Sequence, residues 1–309
     1  MFTNDLSSSR GFSLAAAAFA ATALAAGVGA AQAGAMYGVQ FLSSENTNVV
    51  NGTVYNGTAL TSTQVAGVVP QDNFNVVTSE STGGYNGPAL AGGPVTLADS
   101  TGSNSAGVQF SWVDLGNYFT STAGWATPSA NGNNGALLSA QSQSGYAASA
   151  TSTAAILPAT YKFSNLAAGN YDLIAYTLNN SVYSSGPNSG AGYVGAVSVA
   201  VNGTSTGNTY YDQNQDQTRW LANQTFVRAT STTLAGATTM ANYVEFTGLN
   251  VPSAGGYITL SNVAVTGSTS SAVVNALQLV AVPEPATLGL FALGGLGLLL
   301  AARKRQVQV

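Results

Sequence analysis

The chain has 309 residues, 45% of them hydrophobic and only 6% charged, with a formal net charge of −4 and neither cysteine nor histidine. Their absence excludes disulfides, thiol nucleophiles, Ser-His triads and the usual zinc sites. Between Met36 and Val282 three cations, Lys162, Arg219 and Arg228, stand against nine anions for a net charge of −6, so a row of phosphates or an anionic membrane surface finds no counter-charge and nucleic acid is excluded as a partner.

At the start of the chain Arg10 precedes an apolar run from Leu14 to Val28, and Ala31-Gln32-Ala33 supplies an A-x-A pattern before Gly34. This reads as a secretory signal peptide over residues 1–33, which calls for the secretion translocon and signal peptidase. Ala33-Gly34-Ala35 is a second such pattern, so the mature start is Gly34 or Met36.

Residues 34–281 form the body. Alternating apolar and polar residues predict strands over Tyr37–Leu42, Val108–Val113, Ala159–Phe163, Tyr171–Leu178, Gly195–Val201, Asn242–Phe246, Tyr257–Leu260 and Ala272–Val280. Gly169-Asn170 and Asn202-Gly203 supply turn chemistry at the ends of two of them. The alanine-rich stretch Ala136–Ala155 has the composition for a short helix, but its serines and glycines favour a loop. Short strands between Gly, Asn and Ser turns, with no alternating helices, predict an all-β fold, an antiparallel jelly-roll-like sandwich. The absence of a repeat of fixed length argues against a solenoid, and the absence of a proline-rich or charged linker argues for one domain.

Within the body, Asp212-Gln213-Asn214-Gln215-Asp216 spaces three oxygen side chains two apart, as in the first half of a calcium loop. Gln217 stands where glycine is required and Asn223 where the bidentate glutamate belongs, so no EF-hand follows. A looser calcium site on Asp212, Asn214 and Asp216 and a solvated hairpin turn both remain open. Trp112 is in phase with Val108 and Phe110 and is assigned to the core, whereas Trp220, close to Tyr210 and Tyr211, is the candidate for a surface platform on which sugar rings stack. A glycosidase needs a carboxylate pair, which nine acids permit, but none lies in a recognisable motif and no enzyme activity is expected. Asn-x-Ser/Thr triplets at Asn51, Asn56, Asn179, Asn202 and Asn223 mark exposed turns.

The chain closes on Val282-Pro283-Glu284-Pro285, then 17 uncharged residues from Ala286 to Ala302, then Arg303-Lys304-Arg305. At 1.5 Å per residue the apolar run gives about 25 Å of helix, barely enough to cross a bilayer. The cations after it place the end of the chain in the cytoplasm and the body outside. Pro283 and Pro285 force extended backbone between body and helix, a suitable protease substrate. In the order of these parts, residues 282–309 resemble the PEP-CTERM sorting signal of Gram-negative bacteria. The resemblance implies recognition by an exosortase, a membrane cysteine protease that removes the tail and releases the body to the cell surface or exopolysaccharide matrix.

Three pieces, Ala66–Gln71 with Asn73 and Asn75, Leu166–Leu173 and Val274–Val280, are together similar to uncharacterised sandwich domains of other PEP-CTERM proteins, although Phe74 stands where an indole is expected. The expectation is a non-catalytic, exported structural or adhesive protein, anchored transiently by helix 286–302. A carbohydrate-binding module, with calcium as its one conceivable cofactor, is the alternative, and a glycosidase comes after it.

Overall fold

The computed structural model describes residues 35–43, 49–50, 53–54, 57–79, 90–114, 132–140, 142–143, 158–178, 194–214, 220, 224–265 and 272–283. Ala35–Val282 form one compact unit. The signal-peptide residues Ala31 and Ala33 and the tail from Glu284 onward, with Pro285, Arg303, Lys304 and Arg305, lie outside the described residues. Among the described residues no helix is long and apolar enough to cross a membrane.

The strands are β1 (Met36–Ser43), β2 (Val49–Val50), β3 (Thr53–Val54), β4 (Asn75–Ser79), β5 (Leu90–Thr96), β6 (Gln109–Asp114), β7 (Ser142–Gln143) and β8 (Ala159–Leu166). They continue with β9 (Gly169–Tyr176), β10 (Val194–Val201), β11 (Thr204–Asn214), β12 (Met240–Ala241), β13 (Tyr243–Val251), β14 (Gly256–Ala264), β15 (Val273–Val274) and β16 (Ala276–Val282). A short helix, α1 (Gly132–Leu137), runs into the first two residues of the alanine-rich stretch Ala136–Ala155, of which 141 and 144–155 lie outside the described residues. A seven-stranded sheet, in the order β12-β11-β10-β14-β8-β6-β5, faces a five-stranded one, β13-β9-β16-β1-β4. The architecture is the all-β sandwich expected from the sequence. Its pairings are antiparallel except β1 with β4 and β11 with β12, so both sheets are mixed.

The seven-stranded sheet obeys the period-2 rule. Tyr161 and Phe163 of β8, Val197 and Val199 of β10, and Ile258 and Leu260 of β14 point inward, while the residues between them are half-buried. Facing them, Tyr37, Val39 and Phe41 of β1, Leu173 of β9 and Leu277 and Leu279 of β16 complete the core. An aromatic chain runs through it, with ring centroids 5.3 Å apart for Phe41–Tyr161, 6.1 Å for Phe41–Phe110, 5.0 Å for Phe110–Phe163 and 5.7 Å for Phe110–Trp112. Trp112 fits because its cross-strand partner is Gly92: a β-carbon there would lie 2.2 Å from the indole.

The five-stranded sheet is buried on both faces, which explains why Ala276–Leu279 are all inaccessible. A second apolar cluster covers its outer face: Leu60, Ala66, Phe74, Leu137, Leu138 and Trp220 pack against Ile174, Tyr176 and Ala276. Uncharged side chains staple this cover to the sheet. Gln40 donates to the carbonyls of Thr58 and Ala136 (both 2.8 Å) and accepts from Leu60 N (2.9 Å). Asn275 donates to Leu138 O (3.3 Å) and Ala140 O (2.9 Å), and Gln278 to Val69 O (2.8 Å). Buried amides on an otherwise apolar face are tolerated because each meets such a carbonyl.

Candidate functional site

The residues singled out by the sequence do not assemble as one site. Asp212 lies near the end of β11 and is fully buried, with the Thr177 hydroxyl donating to its Oδ2. It therefore does not belong to a solvated turn. Asn214 ends the same strand, and Asp216 lies outside the described residues. Among the described residues no group of three or more acidic side chains is placed to share a metal ion.

Trp220 is a second correction. It is 1% exposed, with its ring centroid 5.3 Å from that of Phe226, which in turn packs against Tyr176 and Tyr243. Its closeness in sequence to Tyr210 and Tyr211 suggested the surface, but the apolar outer face of the five-stranded sheet needs a large cover and Trp220 supplies it. Phe74 is likewise core, lying over Gly38 so closely that a β-carbon there would meet the ring at 2.5 Å. Tyr210 and Tyr211 are consecutive on a strand and so point to opposite faces of the sheet. The three-ring platform of Trp220, Tyr210 and Tyr211 does not form.

Tyr210 instead belongs to a groove that sequence reasoning missed. Two irregular strand pairings create it. Between Ser198↔Thr209 and Ala200↔Ser205 the register of β10 and β11 shifts, with Gly207 in the left-handed region at φ 81°. Between Phe246↔Leu173 and Leu249↔Tyr171 the register of β13 and β9 shifts, with Gly248 at φ 67° and its N–H bonded to Asp172 Oδ1 at 2.8 Å. Such bulges bend strands and re-aim side chains, and glycine is the residue that takes positive φ without strain. The two bulged stretches flank an opening of about 560 Å³ between the sheets. Its floor holds Tyr210, half-buried and edge-on to Phe246 at 5.1 Å between centroids, and its walls carry Thr204, Thr206, Asn208, Thr247 and Asn250. No lining residue is charged. The sequence signals that could have found it are the interruptions themselves, Thr206-Gly207-Asn208 and Thr247-Gly248, which break alternation inside two strands.

Two further polar groups are sunk in the body. Asp114 of β6 accepts from the Ser142 hydroxyl, to which Tyr161 OH donates at 2.7 Å. Burial first, and the Asp114 charge second, push the Tyr161 phenol far above its ordinary pKa. Tyr176 OH donates to Gln278 Oε1 and accepts from Val68 N at 2.6 Å, and burial raises its pKa as well.

At the other functional end, β16 pairs to its last residue, Val282 opposite Asn170, and Pro283 follows exposed. β1 starts beside it, Met36 opposite Val280, with Ala281 N donating to Ala35 O at 2.9 Å. Residues 281–306 match the family model of the PEP-CTERM protein-sorting motif. The chain carries a PEP-CTERM sorting motif. Proteins with this motif are exported and sorted to the cell surface of Gram-negative bacteria, and exosortase is their processing partner. No curated protein matches the chain. Among solved structures it is similar to a family 35 carbohydrate-binding module from Clostridium thermocellum, at 14% identity over 44% of this chain and 80% of that one, TM-score 0.23. It is also similar to an exo-beta-1,3-galactanase from Phanerochaete chrysosporium solved with galactose, at 14% identity and TM-score 0.23, over 53% of this chain but 26% of that enzyme. At that TM-score neither likeness carries a function to this protein.

Proposed function

We propose that the PEP-CTERM protein is secreted, held briefly by its apolar tail, cut by exosortase near Pro283–Pro285 and delivered as a non-catalytic structural or adhesive component of the cell surface or exopolysaccharide matrix. The observation that carries this reading is the sorting motif beginning where β16 ends. The last ladder residue is Val282, so a cut in the proline-flanked segment removes the tail without taking a residue from the sheet. Burial of Ala35, 8% exposed and bonded through its carbonyl to Ala281, favours signal-peptidase cleavage after Ala33, which leaves Ala35 on the mature body. The fully or nearly fully buried carboxylates Asp212 and Asp114 accept from the hydroxyls of Thr177 and Ser142 and so link separate strands of the body.

Mass spectrometry of the protein from wild-type cells and from cells lacking exosortase, with fractionation, tests the reading. The expected products are a mature start at Gly34 and an end near Pro283–Pro285 that is lost in the mutant. An intact tail in both strains would make the protein a permanent membrane component and refute the proposal. The second reading, a carbohydrate-binding module, is favoured by one observation, the uncharged groove between β11 and β13.

A further inference from the structure

Matrix polysaccharides divide into charged and uncharged chains, and the two demand different sites. An anionic chain needs cations, whereas an uncharged one needs an apolar surface for its C–H faces and amides or hydroxyls for its hydroxyl groups. The groove flanked by the two bulges has the second set and lacks the first. Thr204 and Asn208 stand exposed on the β11 side, Thr247 and Asn250 exposed on the β13 side, and the half-buried Tyr210 ring lies between them against Phe246.

Part of the frame around these groups is in place before any ligand arrives. Asn250 Nδ2 bonds Asn170 Oδ1 at 3.0 Å, Thr206 Oγ1 bonds Val199 O at 3.1 Å, and Gly248 N is held by Asp172. Phe246 is 3% exposed and fixes the tyrosine ring from below. The bonded Asn250 side chain and the packed Tyr210 ring lose little freedom on binding. The volume of about 560 Å³ falls within the range of ligand pockets, about 300–1,000 Å³. The opening is flanked by strands from both sheets, and such a shape admits a segment of a longer chain as well as a free sugar.

The geometry points to the β11–β13 groove as a binding site for an uncharged polysaccharide chain, with Tyr210 packing on a sugar ring and Asn208, Thr247 and Asn250 bonding its hydroxyls. The net charge of −6 over Met36–Val282 disfavours acidic polymers at the same surface. This site rests on the reading of the body as a matrix component and names the polymer class it holds.

Affinity electrophoresis of the exported, processed protein in gels containing dextran, laminarin or β-1,4-galactan, with alginate as the anionic counterpart, tests it. The expected result is retardation by at least one uncharged polymer and none by alginate. Tyr210→Ala should weaken that retardation about tenfold or more, while Tyr211→Ala, on the opposite face of β11, leaves it unchanged. If Tyr210→Ala melts well below the wild type, the exposed pair Asn208→Ala and Thr247→Ala replaces it as the deciding variant. Silence on all three uncharged polymers, retardation by alginate alone, or retardation that survives the deciding variant overturns the groove. Processing at the tail is read separately by mass spectrometry, so a correctly sorted protein that binds no uncharged polymer refutes the site without touching the sorting proposal.

Discussion

Trp220 offers the sharpest test of how the outer face of the five-stranded sheet is covered. Replacing a fully buried tryptophan by alanine removes its transfer free energy and leaves a cavity, a loss of about 3–5 kcal/mol. For a body of this size each kcal/mol corresponds to about 2–4 °C in Tm, so Trp220→Ala should lower the transition by roughly 6–20 °C. An exposed tryptophan would change stability by only about 0.5 kcal/mol. Trp220→Phe separates packing from hydrogen bonding. Among the described residues the buried indole Nε1 has no hydrogen-bond partner, so phenylalanine loses some contact area but removes an unsatisfied donor that costs about 1–3 kcal/mol, and the two effects offset to within about 1 kcal/mol of the wild type. Differential scanning calorimetry of the processed protein and both variants reads the result. A fall of less than about 2 °C for Trp220→Ala would refute the burial of this ring, and a Trp220→Phe loss as large as that of alanine would show that the indole N–H is bonded after all.

Two further outcomes follow from the buried polar groups. Tyr161 and Tyr176 are held neutral by burial, so above the unfolded tyrosine pKa of 10.0 the unfolded chain releases protons that the folded one keeps. Their contribution is complete below that pH and is lost as pH rises toward the folded values, at about 1.4 kcal/mol per pH unit for each tyrosine. Urea midpoints measured from about pH 9 to 11 should therefore fall steeply at the alkaline end, and a flat profile would contradict the burial of both hydroxyls. At the staple, a β-carbon on Gly67 (φ 98°) would lie 2.4 Å from Gln278 Oε1 and 2.8 Å from Tyr176 OH. Gly67→Ala should cost about 1–3 kcal/mol more than Gly255→Ala, where φ is 81° but nothing lies within 4 Å of the new carbon. Equal losses in chemical denaturation would mean that the loop bearing Gly67 is not pinned to the sheet.

Where side chains alternate, the strands were legible: β6, β8, β10 and β14 fall on the segments predicted from periodicity, because one buried face imposes period 2 on the residues themselves. Other strands were not legible, for particular reasons. β5 carries Gly92-Gly93-Pro94, which an edge strand tolerates but which reads as a turn. β11 is interrupted by its bulge at Thr206-Gly207-Asn208, so its eleven residues read as a turn followed by a loop. The same interruption builds half of the groove, which is why the candidate site and the missed strand coincide.

The sequence by itself determined the address, because a sorting tail is recognised as an ordered string of proline, acid, apolar run and cations whose meaning does not depend on a fold. It also determined the class of the body, since alternation records which face of a strand meets the core. Tertiary structure alone decided the fate of the aromatic and acidic residues. Trp220 and Asp212 have ordinary neighbours in sequence, but the second buried face of the five-stranded sheet claims the first and the sandwich interior claims the second. Tyr210 gains its place only because two bulges distant in sequence flank the same opening. Burial depends on which elements meet, and no local pattern of residues carries that information.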